Sequence, residues 1–171
     1  MALMRTAILQ STIVVAAREG MKGFAVKSVA KQCGCSEGLV FHYFRTKQIL
    51  VDTCYRYICD EMTKSIISEV GNTLTFRPVW VSFCRFMREN KDSSFFCLSY
   101  LQSNEGRIDG LDILKDSIAM MFPDKDEGFF ISVTRAAAVI GCMYGMGLID
   151  WDERSEDDYR KLVEGMVGGF R

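Results

Sequence analysis

Residues 25–50 read AVKSVAKQCGCSEGLVFHYFRTKQIL, and this stretch constrains the fold more than any other part of the 171-residue chain. Val29, Ala30 and Cys33 recur at the spacing of one helix face. Gly34 then supplies a turn, because glycine accepts a positive φ without steric cost. Ser36 is a side-chain N-cap for a following helix, and Glu37 complements that helix's dipole. Thr46 caps a further helix at once. The pattern predicts helices over about 26–33 and 37–44 joined by a tight turn. That is a helix-turn-helix, a module whose second helix can lie in the major groove of DNA.

The rest of the chain also reads as helical. Only Pro78 and Pro123 interrupt long apolar-periodic runs. Helix 1 is expected from about Leu3 to Glu19, with Ile8, Thr12, Val15 and Ala16 inward and Gly20 as its stop. A helix starting at Lys47 runs to about Glu69 and ends at Gly71-Asn72. Further helices are expected near 76–89, from Asp92 or Ser93 through Leu101, over 110–121, over 126–149 and over 155–170. The fold class is therefore all-α, with about nine helices. Residues 1–46 form a three-helix helix-turn-helix head, the helix 47–69 connects, and 47–171 make a ligand-binding and dimerisation bundle. A chain of this size buries roughly 70% of its unfolded surface and needs no staples to hold a core.

Charge divides the same way. Residues 1–50 hold seven basic and two acidic residues, net +5, and the remainder is net −6. A basic head on an acidic body fits a head that meets a polyanion, although chance scatter of surface charge gives the same count. The seven cysteines contain no Cys-x-x-Cys pair, and His42 is the one histidine, so no metal or cofactor is expected. Cys54 and Cys59 lie five apart on one helix, with Cα atoms roughly 8–9 Å apart, too far for a disulfide. Free thiols and a cytoplasmic location follow, with redox sensing by a cysteine left open. No leader is evident. The uncharged run from Ala136 to Ile149 is too short to span a bilayer and reads as a core helix, so no membrane partner is expected.

In the head, Lys27 and Ser28 open helix 2 and Lys47 opens helix 4, where free N–H groups attract phosphate. Tyr43 can donate its hydroxyl to a phosphate, which fixes register but carries no sequence information. Base reading falls to the outer face of helix 3. There Gly38 allows close approach, Leu39 and Phe41 can touch a thymine methyl, Glu37 can accept from cytosine, and His42 can donate. The alternatives are that Phe41 is core, that Leu39 is simply exposed, and that Glu37 only complements the dipole. Val40 and Phe44 lie on the opposite face and read as core.

Val26, Val29, Ala30, Cys33, Gly34, Ser36, Gly38, Phe41, His42, Tyr43, Phe44, Arg45, Lys47 and Leu50, preceded by Gly20-Met21-Lys22-Gly23-Phe24, together resemble the DNA-binding head of the TetR (tetracycline repressor) family. The resemblance covers about residues 5–55. It implies a dimeric repressor of a double-stranded operator, not an enzyme, with a helical ligand-binding body. It also implies that Lys27, Ser28, Glu37, Gly38, Leu39, Phe41, His42, Tyr43 and Lys47 face DNA, with Tyr43 and Lys47 on phosphates. Val26 and Leu39 stand where the family often has Thr, and Phe41 where it often has Tyr. Each change removes a hydroxyl.

Residues 76–100 hold seven of the twenty aromatic residues. They read as core, or as a pocket for a small apolar or aromatic effector near Trp80, Phe83, Met87, Phe96 and Tyr100, with Met120 and Met121 as soft lining. Ala137, Gly141 and Gly145 leave one helix face nearly bare. With Met166 and Phe170 on the last helix, that face suits either intramolecular packing or a homodimer interface, and the family resemblance favours the dimer. The competing function is a helical protein-interaction adaptor with a degenerate DNA-binding head.

Overall fold

The order of elements follows the stop signals in the sequence. A computed structural model describes residues 2–72, 74–103 and 108–150, together with positions 161 and 165. Among the described residues there are eight helices: α1 (Ala2–Glu19), α2 (Val26–Cys33), α3 (Glu37–Phe44), α4 (Lys47–Val70), α5 (Phe76–Glu89), α6 (Lys91–Ser103), α7 (Asp112–Met121) and α8 (Glu127–Gly145). The expected helix over 155–170 lies outside the described residues, Met166 and Phe170 with it. α8 stops at Gly145 rather than Ile149, where Met146 to Ile149 turn away from the helix.

The helix-turn-helix closes as its residues dictate. Gly34 takes φ 69° and ψ 32°, and its N–H reaches back to the Ala30 and Lys31 carbonyls. Ser36 accepts from Leu39 N at 3.2 Å and Thr46 from Ile49 N at 3.1 Å, so α3 and α4 both begin on side-chain caps. Each such cap is worth about 1 kcal/mol. Ile8, Val15, Phe24, Val29, Val40 and Phe44 are buried together, and α3 sits on this small core through Val40 and Phe44. The two-residue link from α3 to α4 forces Arg45 to a positive φ of 53°. A non-glycine residue there costs about 1–3 kcal/mol, which the caps and core on either side must offset.

Head and body are not joined by α4 alone. α1 packs on α2 and α4 and also directly on α6. Cys54 of α4 reaches the Leu9 carbonyl of α1 at 3.7 Å, and Gln10 donates to the Tyr57 hydroxyl at 3.2 Å. In the body, α8 lies against α5, α6 and α7. It is long and apolar enough to pass a membrane-span test by length and composition, with mean hydropathy 1.4, yet its packing is that of a bundle helix.

Candidate nucleic-acid interface

α3 presents the surface expected of a recognition helix. Glu37, Gly38, Phe41 and His42 are exposed on one face, opposite the buried Val40 and Phe44. Phe41 is not core: 42% of it is exposed, an unusual placement for an aromatic that packs against nothing. Leu39 and Tyr43 flank this face half-buried, and the Tyr43 ring is set between His42, edge-on at 5.6 Å, and Phe44 at 6.2 Å. From α1, the Arg5 guanidinium lies 5.4 Å over the Phe44 ring and supports α3 from below.

The phosphate-facing candidates divide. Lys27 is exposed at the start of α2. Lys47 is half-buried and already engaged: its ammonium donates to the Phe24 carbonyl at 2.7 Å and the Lys22 carbonyl at 3.3 Å, and it lies 4.1 Å over the Phe24 ring. It therefore clamps the α1–α2 link onto the start of α4, whatever else it touches. Ser28 is engaged as well. It donates to the Glu19 carboxylate, which also accepts from the Ala25 N–H and from Arg18 at 3.0 Å. Those partners, the Arg18 guanidinium foremost, hold the Glu19 carboxyl below the usual glutamate range.

Glu19, Arg45 and the link carbonyls were not visible to the motif reading. One signal for Glu19 was available. Ala25 is the N-cap of α2 and has no side-chain acceptor, so the orphan N–H groups there need an anion from elsewhere.

The body residues fall differently from the sequence expectations. Trp80, Phe83, Met87, Phe96 and Tyr100 are all buried. Trp80 stacks on Phe76 at 5.9 Å and leans on Phe83 at 5.6 Å, while Tyr100 stacks on Tyr55 at 4.0 Å and donates to Asp52 at 3.0 Å. Met120 and Met121 do not join this cluster; both are exposed at the end of α7. A cleft of about 630 Å³ instead opens where α1, α4 and the α5–α6 turn meet, lined by Gln10, Ile13, Tyr57, Phe86 and Lys91 among others.

The bare face of α8 is used inside the chain. Ala137, Gly141 and Gly145 are buried. A Cβ at Gly141 would overlap the Phe83 ring, and one at Gly145 would come within 2.6 Å of the Met87 carbonyl. The expectation that these three residues form the dimer interface therefore gives way to intramolecular packing. α5 and α6 approach α8 so closely that only glycine fits. The opposite face of α8, with Ala136, Val139, Ile140 and Met143, is half-buried and apolar.

Residues 8–54 match the model for bacterial regulatory proteins of the tetR family. The transcriptional regulator BetI of Pectobacterium atrosepticum is 26% identical over 74 residues, 43% of this chain and 38% of that protein. BetI of Yersinia pestis strain Pestoides F is 27% identical over 62 residues, 36% of this chain and 31% of that protein. The chain thus spans well under half the length of these curated relatives. The fold likeness reaches further. A TetR-like regulator from Rhodococcus sp. RHA1 superposes with a TM-score of 0.69 at 14% identity, covering 98% of both chains. A tetR-family structure from Shewanella sp. PV-4 gives 0.66 at 16% identity, covering 95% of this chain and 97% of that one. These relatives are regulators and not enzymes, and by its residues 8–54 the chain belongs to the TetR family of bacterial regulatory proteins.

Proposed function

We propose that the chain is a homodimeric transcriptional repressor that docks α3 in the major groove of a duplex operator and leaves it when a small apolar or aromatic effector binds. The observation that carries the reading is the surface of α3. Val40 and Phe44 fix the helix from beneath while Glu37, Gly38, Phe41 and His42 stand exposed on one face, in the half of the chain that is net +5. Lys27 and Tyr43 are the phosphate contacts, and Leu39 and Phe41 read a thymine methyl. Lys47 holds the module's shape and has a third N–H to offer a phosphate.

The homodimer forms through the outer face of α8. Only 44% of that apolar helix is buried within the chain, which leaves Ala136, Val139, Ile140 and Met143 to a second copy. A two-fold pair places the recognition helices about one DNA turn apart, roughly 34–36 Å. The effector acts by preferring another spacing of the heads, and shifts the population by its differential affinity alone. The buried set around Trp80 and Phe83 must open to admit it, so binding shows as a change in tryptophan emission and in thermal stability. Such a regulator works in the cytoplasm, where its seven free thiols stay reduced.

Titration into duplex from the chain's own upstream region at two salt concentrations tests the DNA reading. Specific affinity with a steep salt slope supports it. Neither property, in a folded dimer, favours a helical adaptor with a degenerate head. Monomeric sedimentation at micromolar concentration refutes the dimer.

A further inference from the structure

The start of α2 is held by an anion of the chain's own. The N-cap, Ala25, has extended backbone (φ −99°, ψ 145°) and makes no side-chain cap, so the first N–H groups of the helix lack the hydroxyl acceptor that opens α3 and α4. Glu19, the last residue of α1, takes that place. Its carboxylate accepts from the Ala25 N–H, the Ser28 hydroxyl and the Arg18 guanidinium, the last at 3.0 Å. These are the donors a phosphate would use at a helix N-terminus. The side chain is about a third exposed, so the carboxylate faces any polyanion laid across this end of the module. Lys47 does not neutralise it, because its ammonium is turned to the Phe24 and Lys22 carbonyls.

We propose that the Glu19 carboxylate competes with a DNA phosphate for the donors at the start of α2, so that Glu19 is a negative determinant of DNA affinity in this chain. The proposal rests on the DNA-binding reading above. Two anions cannot share the seat. On docking, either Glu19 swings out and surrenders Arg18 and Ser28 to the phosphate, or it stays and repels. Both routes weaken binding. They also make α2's phosphate contact contingent on moving one side chain, where an N-cap hydroxyl would serve the helix without charge.

The test compares wild type with Glu19→Gln, which keeps shape and an acceptor oxygen but loses the charge, and with Glu19→Ala. The probe is a fluorescein-labelled duplex of random sequence, read by anisotropy across a salt series, so no operator need be known. Removing one opposing charge adds about one effective phosphate contact. The log–log salt slope then steepens by about 0.9, and affinity at about 0.1 M salt rises roughly eightfold. Both variants binding more tightly than wild type, with urea midpoints showing a folded protein, is the expected result. If Glu19→Gln and Glu19→Ala bind no better than a wild type that does bind, Glu19 is only a structural cap and the proposal is wrong. If no protein in the set binds duplex even at low salt, the DNA-binding reading fails first and takes this inference with it.

Discussion

Replacing Lys47 by Met separates shape-holding from phosphate contact at a position where both have been assigned. The Met side chain keeps the apolar stem but removes the ammonium. Lost with it are a part-buried bond to the Phe24 carbonyl at 2.7 Å, a longer one to the Lys22 carbonyl at 3.3 Å, and a cation–π contact at 4.1 Å over a buried ring. The first is charge-assisted and worth about 1.5–3 kcal/mol. The second lies at the surface, where water replaces it at little cost. The ring contact adds about 0.5–1 kcal/mol. Lys47→Met should therefore destabilise the protein by about 2–3 kcal/mol, a fall in Tm of roughly 4–12 °C for a chain of this length. Urea unfolding followed by circular dichroism measures it. A variant within about 0.5 kcal/mol of wild type that nonetheless loses DNA affinity would refute the reasoning: Lys47 would then be a phosphate contact that holds nothing.

Gly141→Ala should cost about 1–3 kcal/mol or more, because the new methyl meets the buried Phe83 ring; a neutral effect on the urea midpoint would mean that α5 and α8 are not packed as described. Tyr100→Phe removes the bond to Asp52, which ties α6 to α4, and should cost about 1 kcal/mol, since Asp52 keeps its bond from Gln48; an unchanged midpoint would count that tie as negligible. Ellman's reagent at pH 8 should titrate the half-buried Cys33 and Cys35 and spare Cys54, Cys59, Cys84, Cys97 and Cys142 until the protein unfolds. Burial pushes the Cys59 thiol up to about 12, well above the assay pH, so that group stays protonated as well as covered. Rapid reaction of all seven would show that the body opens readily.

The parts of this protein that the sequence determined by itself are those decided within a few residues of one another. Gly34 makes its turn because no side chain opposes a positive φ, and Ser36 and Thr46 start α3 and α4 by bonding to N–H groups three residues ahead. The spacing of Val40 and Phe44 settles which side of α3 is core, so the exposed row from Glu37 to His42 follows as well. Even Arg45, which the motif reading passed over, is a local effect of a short link.

Other features depend on partners far away in the chain, and those only the tertiary structure decided. A bare stripe on α8 is equally fit for a second copy or for a neighbouring helix, and the approach of Phe83 and the Met87 carbonyl settles it for Gly141 and Gly145. A lysine at a helix start attracts any acceptor within reach, and folding brings two carbonyls to Lys47 before any DNA arrives. The aromatic residues of α5 and α6 have the composition of a pocket, but burial against Tyr55 and Phe76 closes them into a core. Helical periodicity specifies which way a residue faces on its own helix. What stands opposite it is set by packing, because side-chain contact is short-ranged in space and blind to distance along the chain.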